Sequence, residues 1–273
     1  IAIGIIVNLN LSAQELSVLT YNIRYDNPSD NLNSWTHRKN FLISQLNYNR
    51  PDIFGTQEGL RHQLEDIKKG LTDYKYFGIG RDDGDQKGEH TAIFYNTSRV
   101  KLLRESTFWL SKSPDRPSKS WDAALKRICT YGVFEMINSG KKLLVFNTHF
   151  DHVGKKARRK SALLILKKIA DINKGNLPVI LMGDFNLEST SIGIQSILKY
   201  YKDAHLNADK NAFGPEGTYN GFRFDQPVTK RIDFIFVSKK IKVLKSAILS
   251  DSKDCRYPSD HLPVYTELII PHE

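Results

Sequence analysis

Cysteine is nearly absent. Cys129 and Cys255 are the only two among 273 residues, and neither belongs to a closely spaced pair that could hold a soft metal. Thiolate metal chemistry is therefore excluded, and no thiol nucleophile is indicated. They are read as two separate thiols, with a disulfide left open because sequence separation does not fix spatial separation. A Pro/Gly/Ser-rich linker and internal repeats are also missing, which argues against several domains. The 40% of hydrophobic residues can build one large core. Beyond the N-terminus no long apolar run occurs, so no membrane span is expected. Acidic residues are outnumbered, 30 against 40 basic, giving +10 at pH 7. That excess favours a polyanionic partner such as nucleic acid, phospholipid headgroups or a phosphorylated sugar, although a solvated lysine-rich surface gives the same count.

The first residues carry a message about location. Ile1 to Leu11 is almost wholly apolar and uncharged, and it leads through Leu11-Ser12-Ala13 into Gln14-Glu15. This pattern fits the apolar part of a signal peptide followed by a small-residue cleavage site. Residues 1–13 are thus read as a signal-peptide remnant and 14–273 as one folded domain of an exported protein, periplasmic or extracellular. The competing reading, an added edge strand, is weakened by Asn8 and Asn10, which break any alternation.

Apolar patterning predicts strands alternating with helices. Strands are expected at Leu16–Asn22, Asp52–Gln57, Tyr74–Gly80, Thr91–Tyr95, Leu102–Trp109, Ile128–Ile137, Lys142–His149, Val179–Asp184, Ile232–Val237, Val243–Leu249 and Val264–Ile270. Helices are expected at Thr36–Tyr48, Leu60–Leu71, Lys155–Asn173 and Ser191–Tyr200, with Pro51 and Pro178 as stop signals. So many strands imply two sheets, and the fold class is a layered α/β sandwich.

Six short polar motifs punctuate this pattern: Thr20-Tyr21-Asn22, Gln57-Glu58, Asn147-Thr148-His149, Gly183-Asp184-Phe185-Asn186, Arg231-Ile232-Asp233 and Ser259-Asp260-His261-Leu262-Pro263. Four of them end an apolar run. A strand leaving a buried sheet delivers its last side chains to one rim, so these residues should converge although they are distant in sequence. Carboxylates and amides together suit a hard divalent cation, Mg²⁺ or Mn²⁺, and paired Asp and His groups suit charge stabilisation on a phosphate. The motifs by themselves point to metal-assisted phosphoester hydrolysis.

In their order and domain-wide spacing the six motifs resemble the endonuclease/exonuclease/phosphatase superfamily, over about residues 16 to 270. The resemblance implies a four-layered sandwich of two face-to-face mixed β-sheets flanked by helices. It implies Glu58 as the principal Mg²⁺ ligand, with Asn22 and Asp260 close to the same ion. Asp184 and Asn186 would prepare the attacking water, Asp233 would orient His261 toward the scissile phosphate, and His149 would donate to developing charge or the leaving oxygen. Arg127 resembles an arginine that related exported members place at the phosphate. No stable protein partner is implied, and a monomer is expected. The contrasting reading is a polyanion-binding module of the same fold without turnover.

Other residues are drawn in by position. His90 precedes a strand and could face the same rim or simply lie in a loop, and His152 follows His149 closely. Arg158 lies four residues before Ala162 on the stripe Ala162, Ile165, Ile169 and Ile172, so it should lean inward. Four cations, Lys155, Lys156, Arg158 and Arg159, in the first turn of a helix oppose its dipole unless an anion compensates. That makes Arg158 a candidate phosphate ligand, with Lys155, Lys156 and Lys160 read as solvated. The loop Asn211–Gln226 offers Tyr219, Phe222 and Phe224 either for stacking on a substrate or as loop anchors.

Overall fold

A computed structural model describes residues 15–208 and 211–271; the signal-peptide reading of residues 1–13 lies outside them. Period-two alternation within the central strands builds the layers. In β7 (Lys142–His149), Leu143 and Val145 face one core while Leu144 and Phe146 face another. In β8 (Val179–Asp184), Ile180 and Met182 join the first core, and Val179 and Leu181 the second. In β1 (Glu15–Asn22), Leu16 and Val18 enter that same first core, whereas Leu19 and Tyr21 face a third. The shared core is the seam between two sheets.

The outer cores are closed by helices. Trp35, Leu42 and Leu46 of α1 (Trp35–Asn49) and Leu64 and Ile67 of α2 (Arg61–Gly70) cover β1 and β2 (Ile53–Gln57). Ala162, Ile165 and Ile169 of α3 (Lys155–Ile172), with Ile194 and Ile197 of α4 (Ile192–Leu198), cover the second sheet. The result is the four-layered sandwich expected. The remaining strands are β3 (Tyr74–Phe77), β4 (Ile93–Asn96), β5 (Val100–Trp109), β6 (Ile128–Met136), β9 (Tyr201–Asp203), β10 (Ala212–Phe213), β11 (Asp233–Ser238), β12 (Lys242–Ile248) and β13 (Val264–Ile269). Their orders are β10-β12-β13-β1-β2-β4-β3 and β5-β6-β7-β8-β11-β9.

Register gathers the motifs. β1 runs parallel to β2 with Asn22 opposite Gln57, and β7 runs parallel to β8 with His149 opposite Asp184. β11 is antiparallel to β8 and begins with Asp233 opposite Asp184. β13 is antiparallel to β1 with Val264 opposite Thr20, which brings the preceding Asp260-His261 to the same rim. Arg38 of α1, buried, donates to the carbonyls of Ile23, Arg24 and Pro258 and so ties the exit of β1 to the entrance of β13.

Two motif residues bind the sheets to each other. Asn147 on β7 donates through Nδ2 to the carbonyls of Thr56 and Ala92 across the seam, both at 2.9 Å, and accepts from Gln57 Nε2 at 2.6 Å. Gly55 is the position that makes room: a Cβ there would stand 2.6 Å from the Asn147 side chain. Asn147→Ala should therefore lower unfolding free energy by about 2–3 kcal/mol, the cost of leaving buried polar groups unpaired. Urea denaturation reads the loss as a lower midpoint with an unchanged slope.

Local differences from the sequence reading have simple causes. The strand expected over Tyr74–Gly80 ends at Phe77, because Gly78 adopts φ +132° and leaves the ladder. β9 and β10 were not foreseen. Strands of three and two residues are too short for an alternation to show.

Candidate active site

Glu58 and Asp260 form an acidic floor. Glu58 Oε1 accepts from Asn22 Nδ2 at 3.1 Å and Oε2 from the Tyr25 backbone N–H at 3.2 Å. The guanidinium of Arg24, gripped by Asp30, stands with Nη1 3.9 Å from both Glu58 and Asp260. Burial raises the proton affinity of Asp260, the Glu58 charge adds to this, and His261, Arg24 and Arg38 oppose it. Two carboxylates that share a guanidinium only at 3.9 Å are hard oxygen donors that fit a divalent cation, whereas the Asn22 amide turns Nδ2 toward Glu58 and its Oδ1 accepts from the Arg24 N–H at 3.1 Å, so it must rotate to ligate. A second cluster, Asp184, Asp233 and His261, has ligand atoms within 4.8 Å of one another and could also hold an ion. There, however, Asp233 Oδ2 already accepts from Thr218 Oγ1 at 2.5 Å and lies 2.8 Å from His261 Nδ1.

Three cavity residues, Arg24, Glu58 and Asn186, have positive φ, at 54°, 64° and 49°. Each conformation costs a non-glycine residue on the order of 1 kcal/mol. The left-handed turn at Glu58 comes immediately after the end of β2, at the rim of the cleft.

The two imidazoles are in opposite electrostatic states. Burial alone would drive the proton off His261, but Asp233 and Asp184 outweigh it, so its pKa lies well above the ordinary value and the ring is an imidazolium. His149 is held well below the ordinary value by burial and by the neighbouring Arg127 and Arg81. Its Nδ1 accepts from Arg127 Nη1 at 2.8 Å. With Nδ1 accepting, the proton sits on Nε2, 3.4 Å from Asp184 Oδ2, and the Asn186 amide, whose Nδ2 lies 3.1 Å from Nε2, must turn away for that N–H to donate. Asp184 is pushed up to about 7 by burial and then by Asp233, against the pull of His261, the Asn186 N–H and Asn22. Its Oδ1 accepts from that N–H at 2.8 Å and its Oδ2 from Asn22 Nδ2 at 3.0 Å.

Glu58, His149, Asp184, Asp260 and His261 line one cleft of about 570 Å³, whereas Asn22 and Asp233 are buried and touch it only through those neighbours. Asn186, Arg127 and His152 reach it, and Arg127 Nη2 donates to His152 Nδ1 at 3.1 Å. His90 does not line it: the ring is buried with Nδ1 3.2 Å from the Gly59 carbonyl, bracing the turn after Glu58. Arg158 does not line it either. Its Nη1 donates to the Asp151 carbonyl, and the residue borders a separate groove of about 650 Å³ with Leu187 and Ile192. The stripe did turn Arg158 partly inward, but its guanidinium meets the Asp151 carbonyl ahead of α3 and not the cleft. Of the three loop aromatics, Tyr219 lines the cleft edge-on to His261 at 5.1 Å. Phe222 lies under Arg38 and Phe224 against Tyr257 as loop anchors.

Arg24, Arg81, Glu89 and Lys230 line the cleft without having been foreseen. Arg81 and Glu89 sit in the Gly- and Asp-rich loop before β4. Its turn composition was legible, whereas its fold back onto Arg127 was not. The cations lead to a prediction. Inorganic phosphate should raise the melting temperature of the wild type and of Arg158→Ala, and Arg127→Ala should lose most of that shift. A shift lost equally in both variants would put Arg158 at the phosphate as well.

A deep cleft of acid, amide and imidazole groups at the rim of a two-sheet sandwich defines a class of phosphoester-processing proteins. The endonuclease/exonuclease/phosphatase family model matches residues 19–261, and the chain belongs to that family. It is similar to an endonuclease/exonuclease/phosphatase family protein of Bacteroides thetaiotaomicron, with 40% identity, a TM-score of 0.90, and coverage of 95% of this chain and 99% of that one. It is also similar to a mannosyl-6-phosphatase of Bacteroides thetaiotaomicron VPI-5482, with 41% identity, a TM-score of 0.89, and coverage of 93% and 100%. Among curated proteins it is 32% identical over 161 residues to the uncharacterized protein L388 of Acanthamoeba polyphaga mimivirus, covering 56% of this chain and 60% of that protein. The chain thus spans less than two thirds of the length of that curated relative.

Proposed function

We propose that this protein is a divalent-metal-dependent phosphomonoesterase acting on phosphorylated sugars by in-line attack of water. The observation that carries the reading is the arrangement around Asp184: a buried carboxyl, its pKa pushed up to about 7, with His149 Nε2 3.4 Å and His261 Nε2 3.8 Å from its Oδ2. In this reading Asp184 accepts the proton of the attacking water while Asn186 orients it. The new P–O bond forms as the ester P–O bond breaks, and the alkoxide departs without a covalent enzyme intermediate. His261, held in its tautomer by Asp233, donates from Nε2 to a phosphoryl oxygen, and neutral His149 donates from its own Nε2. Arg127 binds a further phosphoryl oxygen through the fork of its guanidinium. Glu58, Asp260 and Asn22 would hold a divalent cation, Mg²⁺ or Mn²⁺, which when bound supplies Lewis-acid stabilisation of phosphoryl charge.

The sugar monoester is supported by the likeness to the 41% identical mannosyl-6-phosphatase. Four cations in the cleft, Arg24, Arg81, Arg127 and Lys230, suit a dianionic monoester. Export is proposed with it from the apolar stretch Ile1–Leu11. The test is phosphate release from hexose 6-phosphates, compared with bis-p-nitrophenyl phosphate and plasmid DNA, after chelation and with Mg²⁺ or Mn²⁺ restored. Cleavage of the diesters alone would defeat the monoesterase reading. Binding of these ligands without any turnover would make the protein a polyanion-binding module.

A further inference from the structure

Glu89 is a largely covered acid in a cleft that also holds Arg24, Arg81, Arg127 and Lys230. Its side chain is 15% exposed and lines the cleft. Burial is the main cause of the rise in its pKa to about 7; the Glu58 charge adds to it, while Arg81 and Arg127 pull the other way. A carboxylate so placed repels a phosphate dianion, so its presence calls for a compensating contact. The backbone around it is fixed: the Arg81 N–H donates to the Glu89 carbonyl at 3.1 Å, and the His90 N–H donates to the Gly59 carbonyl at 2.9 Å. Trp109 Nε1 donates to the Arg81 carbonyl at 2.8 Å, anchoring the other side of the loop.

The side-chain contacts are one-sided. Oε2 accepts from Arg81 Nη1 at 2.5 Å and lies 3.6 Å from Arg127 Nη1 and 3.9 Å from His149 Nδ1. Oε1 receives no hydrogen bond from the described residues and stays accessible on a residue that lines the cleft. The Nε groups of Arg81 and Arg127 are buried without a hydrogen-bond partner among the described residues, Arg127 Nε lying 4.0 Å from Asp151 Oδ2. Leu125 adds an apolar wall to the same cleft, and Lys230 a donor. A free carboxylate oxygen beside a guanidinium and an apolar surface matches the hydroxyl edge and apolar face of a sugar ring.

We propose that Glu89, flanked by Arg81, is a hydroxyl-reading subsite next to the phosphate position and that it selects monoesters of polyols, sugars foremost. The inference rests on the phosphomonoesterase reading above. A sugar hydroxyl donates to Glu89 Oε1, and Arg81 holds the carboxylate in place. Glu89 is thereby a specificity residue distinct from the groups proposed to act on the phosphate.

Two monoesters that share the phosphate and differ in the alcohol test it: mannose 6-phosphate and phenyl phosphate. Glu89→Ala should lower kcat/KM for mannose 6-phosphate by about 10–100-fold, the range for a lost hydrogen bond to a charged group. It should change that for phenyl phosphate less than about threefold, because phenyl phosphate has no hydroxyl to lose. Glu89→Gln, which keeps a carbonyl acceptor and the shape, should recover part of the loss. Equal losses on both esters, with unchanged melting temperatures, would overturn the proposal and leave Glu89 as a brace for the arginines. If the wild type hydrolyses neither ester, the phosphomonoesterase reading fails, and titration calorimetry with Asp184→Asn protein then decides the Glu89 subsite alone. Tighter binding of mannose 6-phosphate than of phenyl phosphate, abolished by adding Glu89→Ala, supports it, and equal binding of the two esters refutes it.

Discussion

His261→Ala is expected to lower kcat by about 10²-fold or more while the protein remains folded. The imidazolium is built by its surroundings: Asp233 holds Nδ1 at 2.8 Å, and Thr218 fixes Asp233 in turn. Without the ring no imidazolium faces the phosphate, and Asp184 and Asp233 are left facing each other with less compensation. Asp233→Asn should act as a milder form of the same lesion. The double variant should be far less impaired than the product of the two single effects, because the pair works as one unit. Asp184→Asn should cost a similar factor in kcat. Asp184 must be ionised to take the proton and its pKa is pushed up to about 7, so wild-type kcat/KM should rise with pH through that region. His261, held well above its ordinary value by Asp233 and Asp184, shifts its own titration toward higher pH, away from that rise. Near-native kcat in Asp184→Asn, or a flat pH profile between 6 and 8 on an otherwise active enzyme, would sink the general-base role; those limits bracket the pKa by roughly one unit.

The second large effect concerns the cation. Glu58→Gln should reduce kcat/KM on the order of 10²–10³-fold, weaken Mg²⁺ binding in titration calorimetry, and abolish the Mg²⁺-dependent rise in melting temperature. Both oxygens of Glu58 are acceptors, toward Asn22 Nδ2 and the Tyr25 N–H. An amide there turns one contact into donor against donor, so the metal-free melting temperature should also fall slightly. Removing the Glu58 charge should in addition lower the proton affinity of Asp260. Unchanged metal affinity together with unchanged activity would take Glu58 out of the metal site and favour the Asp184, Asp233 and His261 cluster instead.

Legibility in the sequence followed the physics of each element. Long alternating runs such as Lys142–His149 and Val179–Asp184 were read to the residue, because each successive side chain enters a different core. The helical stripe of α3 was read correctly from Ala162 to Ile169. Arg158 was placed inward by that same stripe, but a stripe defines a direction on one helix and not the partner the side chain meets, which is the Asp151 carbonyl. Arg81 and Glu89 escaped notice because nothing local distinguishes a loop that folds over the cleft from one that points to solvent. Gln57 and Asn147 were visible as motif members, and only the register across the seam shows them as ties between the sheets.

The sequence by itself determined the α/β sandwich, the ordered polar motifs at its strand ends, and therefore the family. These depend on period and spacing, which are properties of the chain alone. The tertiary structure decided that His261 is an imidazolium while His149 is neutral, that Asp184 is set near neutrality, and that Glu89 stands among the arginines. Charge states and convergence depend on burial and on which groups come within a few ångströms, and those distances arise only when strands far apart in sequence pair in register.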